Sequence, residues 1–341
     1  MAPYSNIKKM DTSNQKFDEK FDESTPDSKE GVKLTNQKLT RLTNLWCKIL
    51  GQGEQKVSCV AIESIHPLDY APKENGQAVT LTIRHAVANM CCETINVHDG
   101  LIEEISIQAG PGEEKNVFVR ITCSYQVPFQ ITCQEGIPAR TFLHFDRSFL
   151  GDIFSTQKIV LDPGHGGSDP GGRGPVDLLE KNVALIMARQ LKTQFTQLGA
   201  QVFLTRGEDQ DLPLGKRLNL ARENKADFFI SLHTNCSQDA KISGLAVNYN
   251  PLHPDGLLLA QIMSEELVKK LKRSVLETKE DLELAGLGLI PGLKIKPLTI
   301  SNWVEEGMLR NPTMYEKIAI ATLNSLRRYL TGKEKNPSRT S

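Results

Sequence analysis

The hydrophobic positions change period twice along the chain. From Leu39 the apolar residues Leu42, Trp46 and Ile49 recur at three and four, with Leu45 and Leu50 beside them and Gly51-Gln52-Gly53 following. This spacing predicts an amphipathic helix and linker over residues 33–53. Between residues 57 and 147 the period falls to two. Val79, Leu81 and Ile83 alternate with Thr80, Thr82 and Arg84, and Val117, Val119, Ile121 and Cys123 alternate with Phe118, Arg120 and Thr122. Strands buried on one face alternate in this way. With the runs at 57–65, 101–108, 129–133 and 140–145 they make about six short strands with no helix between them, which predicts a small all-β sandwich over residues 54–150.

From Lys158 strand and helix patterns alternate. Lys158 to Asp162 is a short apolar run that enters a glycine-rich loop, and Leu185, Ala188, Leu191, Phe195 and Leu198 trace one helical face ending at Gly199. Gln201–Thr205, Phe228–Leu232 and Leu245–Tyr249 read as strands, and Met263–Leu271 and Ile318–Tyr329 as helices. The alternation predicts an α/β domain over residues 155–332, with a mostly parallel sheet flanked by helices. Ligands of such sheets collect outside the carboxyl ends of the strands.

Both ends of the chain are polar. Residues 1–32 are rich in Lys, Asp, Glu, Ser and Asn and repeat Lys16-Phe17-Asp18-Glu19 as Lys20-Phe21-Asp22-Glu23. Too little apolar area is available there to offset ordering, so a disordered tail is expected, with a short flexible tail at 333–341.

Composition narrows the function. The 341 residues carry 41 Lys plus Arg against 41 Asp plus Glu, so the chain has no excess of positive charge with which to collect phosphates, and a nucleic-acid partner is not expected. No apolar run approaches the length of about 18 residues that spans a bilayer, and the first residues lack the apolar region of a secretory signal. A cytoplasmic location is what this start, taken alone, suggests. The seven cysteines, including the adjacent Cys91 and Cys92, follow neither a metal-binding nor a disulfide spacing and read as reduced thiols.

Three places put a titratable residue where an apolar strand gives way to a loop or helix. His165 lies in Leu161-Asp162-Pro163-Gly164-His165-Gly166-Gly167, Glu180 opens the long helix after it, and His233 follows the strand Phe228–Leu232. Singly, each has a plainer explanation: a glycine-rich turn, a carboxylate favoured at a helix N-terminus, a hydrogen-bonded structural histidine. Together, two imidazoles and one carboxylate near the strand ends suit a catalytic zinc with one position left for water. A general base is then needed, and Glu305 in Trp303-Val304-Glu305-Glu306-Gly307 is the candidate, read as the close of another strand-like run.

These blocks, taken in order, resemble the zinc-dependent N-acetylmuramoyl-L-alanine amidases of the Amidase 3 type, which trim bacterial peptidoglycan. The likeness covers about Lys158 to Tyr329. It rests on Ile159 to Gly167 with Asp169-Pro170-Gly171, on Glu180-Lys181, on Leu204-Thr205-Arg206 and Arg217, on Ala226-Asp227 with Ser231 to Asn235, and on Val304 to Gly307 with Asn311-Pro312. The resemblance implies His165, Glu180 and His233 as ligands of one Zn2+, with Glu305 as general base because Gly307 follows two positions later. It implies hydrolysis of the amide between the lactyl group of N-acetylmuramic acid and L-alanine, peptidoglycan as partner, and a place in the cell envelope. The other class of function compatible with the fold is a non-catalytic regulator that binds peptidoglycan precursors. Arg173, Thr234, Met308 and Arg310 depart from the usual residues, and the segment from Gly292 to Glu305 lacks the common apolar run before the glutamate. The region between Asn250 and Leu289 has room for one main helix and no self-blocking insert. By strand pattern and position, the β-rich region resembles the AMIN domains that precede such catalytic domains and direct them to the wall.

Overall fold

The computed structural model describes residues 39–51, 56–90, 93–111 and 115–334. The tail expected over residues 1–32 lies outside them, as do Cys91 and Cys92. At the other end the last helix runs on to Glu334, so helix replaces the first two residues of the flexible tail expected from 333.

Ten strands build the first half: β1 (Thr40–Leu50), β2 (Val57–Ser64), β3 (Asp69–Asn75), β4 (Ala78–Arg84), β5 (Ala86–Ala88), β6 (Thr94–Asn96), β7 (Ile102–Ala109), β8 (Val117–Cys123), β9 (Phe129–Gln134) and β10 (Ala139–Asp146). They form two five-stranded sheets, in the orders β5-β1-β2-β10-β9 and β3-β4-β8-β7-β6. The alternating residues of the two sheets meet in one core, where Leu42, Val60, Ile62, Leu143 and Phe145 lie with Leu81, Ile83, Ile105, Val119 and Ile121. This is the expected sandwich.

The amphipathic helix expected from Leu39 is instead β1, paired antiparallel with β2. A β-bulge explains the misleading spacing. The register shifts between Leu42 and Asn44, so Thr40 and Leu42 face inward before it and Leu45 after it. One extra residue turns a spacing of two into a spacing of three, which imitates a helical face.

The second half is α/β, with α1 (Ser148–Phe154), β11 (Lys158–Pro163), α2 (Glu180–Thr196), β12 (Gln201–Leu204), α3 (Leu214–Glu223), β13 (Phe228–Leu232), β14 (Leu245–Tyr249), α4 (Gly256–Leu271), β15 (Val275–Glu280), β16 (Gly292–Lys296), α5 (Trp303–Leu309) and α6 (Pro312–Glu334). The sheet order is β12-β11-β13-β16-β14-β15, and only the β14–β16 pairing is antiparallel. One face carries the larger core, in which Ile159, Ile230, Leu232, Leu293 and Ile295 pack with Leu191, Phe195, Met263, Leu267, Ile318 and Leu326. On the other face Val160 and Phe229 pack with Leu218, Leu284 and Leu287.

The region from Asn250 to Leu289 holds α4, the edge strand β15 and a 3-10 turn at Leu282–Leu287. The two strands without a clear sequence pattern, β15 and β16, carry Glu and Lys among their apolar residues. The two halves are in direct contact: Lys270 of α4 donates to the carbonyls of Val97 and His98 at 2.7 and 3.0 Å.

Candidate metal centre

β11 and β13 run parallel, so their carboxyl ends open on the same edge of the sheet. Immediately beyond them stand His165 and His233, and Glu180 is the first residue of α2. Chain geometry around the imidazoles demands glycine at two points. A Cβ on Gly164 would lie 2.2 Å from the His233 ring, and one on Gly171, at φ +67°, would lie 2.5 Å from the His165 ring. The glycine-rich loop therefore serves close packing around two imidazoles.

The three side chains converge on Glu180. Its Oε1 lies 3.3 Å from His165 Nε2 and 3.0 Å from His233 Nδ1, and one donor atom from each residue falls within 4.8 Å of the others. The imidazoles meet edge to face, with ring centres 4.9 Å apart. Glu180 is buried and takes backbone donors on both oxygens, Thr234 N–H on Oε1 and Gly172 N–H on Oε2, each at 2.8 Å. Burial works against ionisation of Glu180, but hydrogen bonds from His165 and then His233 outweigh it and hold the carboxyl well below its usual range.

His165 is oriented from behind. Its Nδ1 lies 2.8 Å from Asp169 Oδ2, and that hydrogen bond keeps Asp169 below the usual carboxylate range. A carboxylate on one ring nitrogen leaves the other turned toward the cluster, as metal-binding histidines require. Two imidazoles, a charged carboxylate and an outer carboxylate form a donor set that fits a divalent transition metal such as zinc.

Below the loop lies a buried polar layer. Asp162 accepts from Thr205 Oγ1, Ser231 Oγ and Arg217 Nη1 at 2.6, 2.8 and 2.8 Å. Arg217 also donates to the carbonyls of Pro163 and His165, and Arg206 to those of Pro163, Gly164 and Lys181. The arginines noted in the sequence thus hold the backbone that presents His165. Asp162 and Asp169 carry the rest of this support, and their only sequence signal was a place in the same block.

Glu305 shares no hydrogen bond or ion pair with His165, Glu180 or His233. Rather than closing a strand, it sits in the first turn of α5, whose N-cap Asn302 accepts from Val304 N–H and Glu305 N–H. Its side chain is fully buried. Thr299 N–H and Gly244 N–H donate to Oε2 at 2.6 and 3.2 Å, Ser243 Oγ donates to Oε1 at 2.8 Å, and Arg273 Nε lies 3.2 Å from Oε1. Both oxygens are engaged, and none of these partners is His165, Glu180 or His233. Glu306 points elsewhere and holds the loop before Glu180, accepting from Val176 N–H at 2.9 Å and Leu178 N–H at 3.2 Å. Arg310 pairs with Glu306 at 2.8 Å, which gives this departure from the usual residue a partner.

Residues 159–328 match the N-acetylmuramoyl-L-alanine amidase family. The germination-specific N-acetylmuramoyl-L-alanine amidase of Bacillus subtilis (strain 168) is 30% identical over 198 residues, covering 52% of this chain and 82% of the relative. The chain belongs to this family. N-acetylmuramoyl-L-alanine amidase AmiC of Neisseria meningitidis serogroup B is 46% identical over 89 residues, which span 26% of this chain and only 21% of that relative. Among solved structures, the N-acetylmuramoyl-L-alanine amidase from Clostridium difficile 630 superposes with a TM-score of 0.50 at 26% identity, over 52% of this chain and 99% of that one. The family match lies within the α/β half and takes in His165, Glu180 and His233, the residues that converge at the ends of β11 and β13.

Proposed function

We propose that the chain is a zinc-dependent peptidoglycan hydrolase that cleaves the amide between the lactyl group of N-acetylmuramic acid and the L-alanine of the stem peptide. The observation that carries this reading is the convergence of His165 Nε2, His233 Nδ1 and Glu180 Oε1 on one point beyond two parallel strands, in a chain of the amidase family. His165, Glu180 and His233 would hold one Zn2+. Such an ion, when bound, polarises a carbonyl oxygen and lowers the pKa of a bound water toward about 7.

The remaining work falls to the chain's own groups. Asp169 holds Nδ1 of His165 and so fixes the nitrogen that faces the ion. Thr234 N–H and Gly172 N–H hold the two oxygens of Glu180 in place. Arg206 and Arg217 clamp the carbonyls from Pro163 to His165, so the imidazole does not swing when substrate binds. We assign Glu305 to anchoring Ser243 and Gly244 against Thr299 rather than to moving a proton, because its oxygens are engaged by these donors and by Arg273.

The sandwich fits a wall-targeting role like that of AMIN domains, its two sheets preceding the α/β domain directly. A peptidoglycan substrate fits a protein of the cell envelope. Among the described residues no helix is long and apolar enough to cross a membrane. Incubation of the zinc-loaded protein with isolated sacculi tests the reading. Release of free stem peptides that stops on chelation is expected. Full zinc occupancy without peptide release would overturn the hydrolase and leave a wall-binding protein with an amidase fold.

A further inference from the structure

Glu180 is held from two directions, and both lead back to one side chain. Thr234 N–H donates to Oε1 and Gly172 N–H to Oε2, each at 2.8 Å. The donors come from different segments, one just beyond β13 and the other in the loop before α2. Thr234 directly follows His233, so this short stretch supplies the cluster with both an imidazole and an amide. β13 itself ends at Leu232, and the chain beyond it is fixed by Asn235.

Asn235 is bound through backbone and side chain alike. Its N–H donates to the Leu298 carbonyl at 2.8 Å, and its carbonyl accepts from Ile300 N–H at 2.7 Å. Its Nδ2 donates to the Gly244 carbonyl at 3.0 Å and lies 3.5 Å from that of Lys296. Two carbonyls on one side of a carboxamide call for its nitrogen there. Gly244 is a firm anchor. Its N–H lies on Glu305 Oε2 and its carbonyl also takes Thr299 Oγ1, both at 3.2 Å. At φ +137° a Cβ there would meet the Ser274 carbonyl at 2.6 Å.

The second hold on Glu180 runs through Ile300. This side chain is fully buried, and a Cβ on Gly172 would lie 3.0 Å from its Cγ2 and 3.1 Å from Glu180 Oε2. Ile300 thus backs the glycine that donates to the carboxylate, and its own N–H is tied to the Asn235 carbonyl. We propose that Asn235 is a positioning residue of the metal centre, setting the two N–H donors that aim the Glu180 carboxylate and with them the affinity for the ion. This rests on the zinc reading above. Asn235 is no ligand and acts through Thr234 and Ile300.

Zinc affinity of the full chain, measured by chelator competition beside the melting temperature of the metal-free protein, tests the proposal. Asn235→Ala removes the tether to Gly244 but leaves that carbonyl its bond from Thr299, so no acceptor is stranded. Zinc affinity is expected to fall about three- to tenfold, the range of one hydrogen bond, with the metal-free midpoint lower by only a few degrees. Asn235→Asp keeps the shape but turns an acceptor toward two carbonyls, and should lose more than Asn235→Ala, about tenfold or beyond. Ile318→Val in the core of α6 costs stability of similar size and should leave zinc affinity within about twofold. Where Asn235→Asp does not fold, the comparison of Asn235→Ala with Ile318→Val decides. Unchanged affinity in Asn235→Ala, an Asp variant that binds as tightly as the wild type, or an equal loss in Ile318→Val overturns the proposal. The zinc reading survives each of these outcomes, provided the wild type binds the ion and the His165→Ala, His233→Ala double variant does not. A wild type without zinc affinity sinks both.

Discussion

Arg217 Nη1 lies 2.8 Å from Asp162 Oδ1 beneath the loop that carries His165, with both side chains almost wholly buried. The pair also organises its surroundings, because Arg217 reaches on to the carbonyls of Pro163 and His165. Replacing Asp162 with Ala leaves a buried guanidinium without its counter-charge and strands the hydroxyls of Thr205 and Ser231. Breaking one side of such a pair costs about 3–5 kcal/mol. Asp162→Ala is therefore expected to lower the urea midpoint strongly and to weaken zinc binding, although Asp162 is no ligand. A midpoint within error of the wild type would contradict the role given to this layer.

Zinc itself should stabilise the fold. A ligand that binds only the native state at 100 times its dissociation constant adds about 2.7 kcal/mol. Differential scanning calorimetry is expected to show a higher melting temperature with zinc than with chelator in the wild type. The gap should vanish in a His165→Ala, His233→Ala double variant, which has lost two of the three donors. An equal gap in the double variant would show that the ion binds elsewhere.

Gly171 offers a test of positioning without touching a ligand. At φ +67° its backbone is left-handed, and a Cβ would meet the His165 ring at 2.5 Å. A non-glycine residue there costs about 1–2 kcal/mol from backbone conformation, and the ring must also move. Gly171→Ala is expected to weaken zinc affinity by at least tenfold while shifting the melting temperature by only a few degrees. Calorimetric zinc titration beside a melting curve separates the two effects.

Much of this site is readable in the chain because each residue of the cluster lies at the end of a regular element. His165 follows the apolar run of β11, His233 that of β13, and Glu180 opens α2, so strand and helix periods alone placed them near one edge of a parallel sheet. Where the period was disturbed, the reading failed. The bulge after Leu42 copied a helical spacing. β16, with Lys294 and Lys296 on one face, has the polar alternation of a half-exposed strand although it lies inside the sheet. The run before Glu305 reads as a strand, but the strand end belongs to Lys296 of β16 and Glu305 lies in the first turn of α5. Asn302, which caps α5, was the local signal that Glu305 lies in a helix.

Glu305 can be examined directly. Glu305→Gln keeps the shape but puts an amide nitrogen in place of one oxygen, facing either the N–H groups of Thr299 and Gly244 or the Ser243 hydroxyl and Arg273. Leaving buried donors unsatisfied costs about 1–3 kcal/mol each. A lowered melting temperature, by several degrees or more, is expected, with kcat reduced no more than about tenfold at temperatures where the variant is folded. A general base contributes about 100- to 10,000-fold. A loss of that size in kcat with unchanged stability would return Glu305 to the chemistry.

The contact between the two halves should depend on pH through Glu103. Burial opposes its ionisation, but hydrogen bonds from His98 and Ser124 and the charge of Arg327 outweigh it and pull the carboxyl down to about 2 from an ordinary 4.5. Arg327 lies on α6 and Glu103 on β7, with Nη2 and Oε1 3.5 Å apart. A carboxyl whose pKa is lower in the folded state stabilises the fold fully above its unfolded value and loses that contribution as pH falls through the folded one. Here the window runs from about pH 4.5 down to about 2. Unfolding free energies of the wild type and Glu103→Gln, measured between pH 7 and pH 2.5, should show the wild type more stable at pH 7 and the difference shrinking below pH 4.5. A difference independent of pH across this range would mean that Glu103 acts through packing and that its charge does not hold β7 to α6.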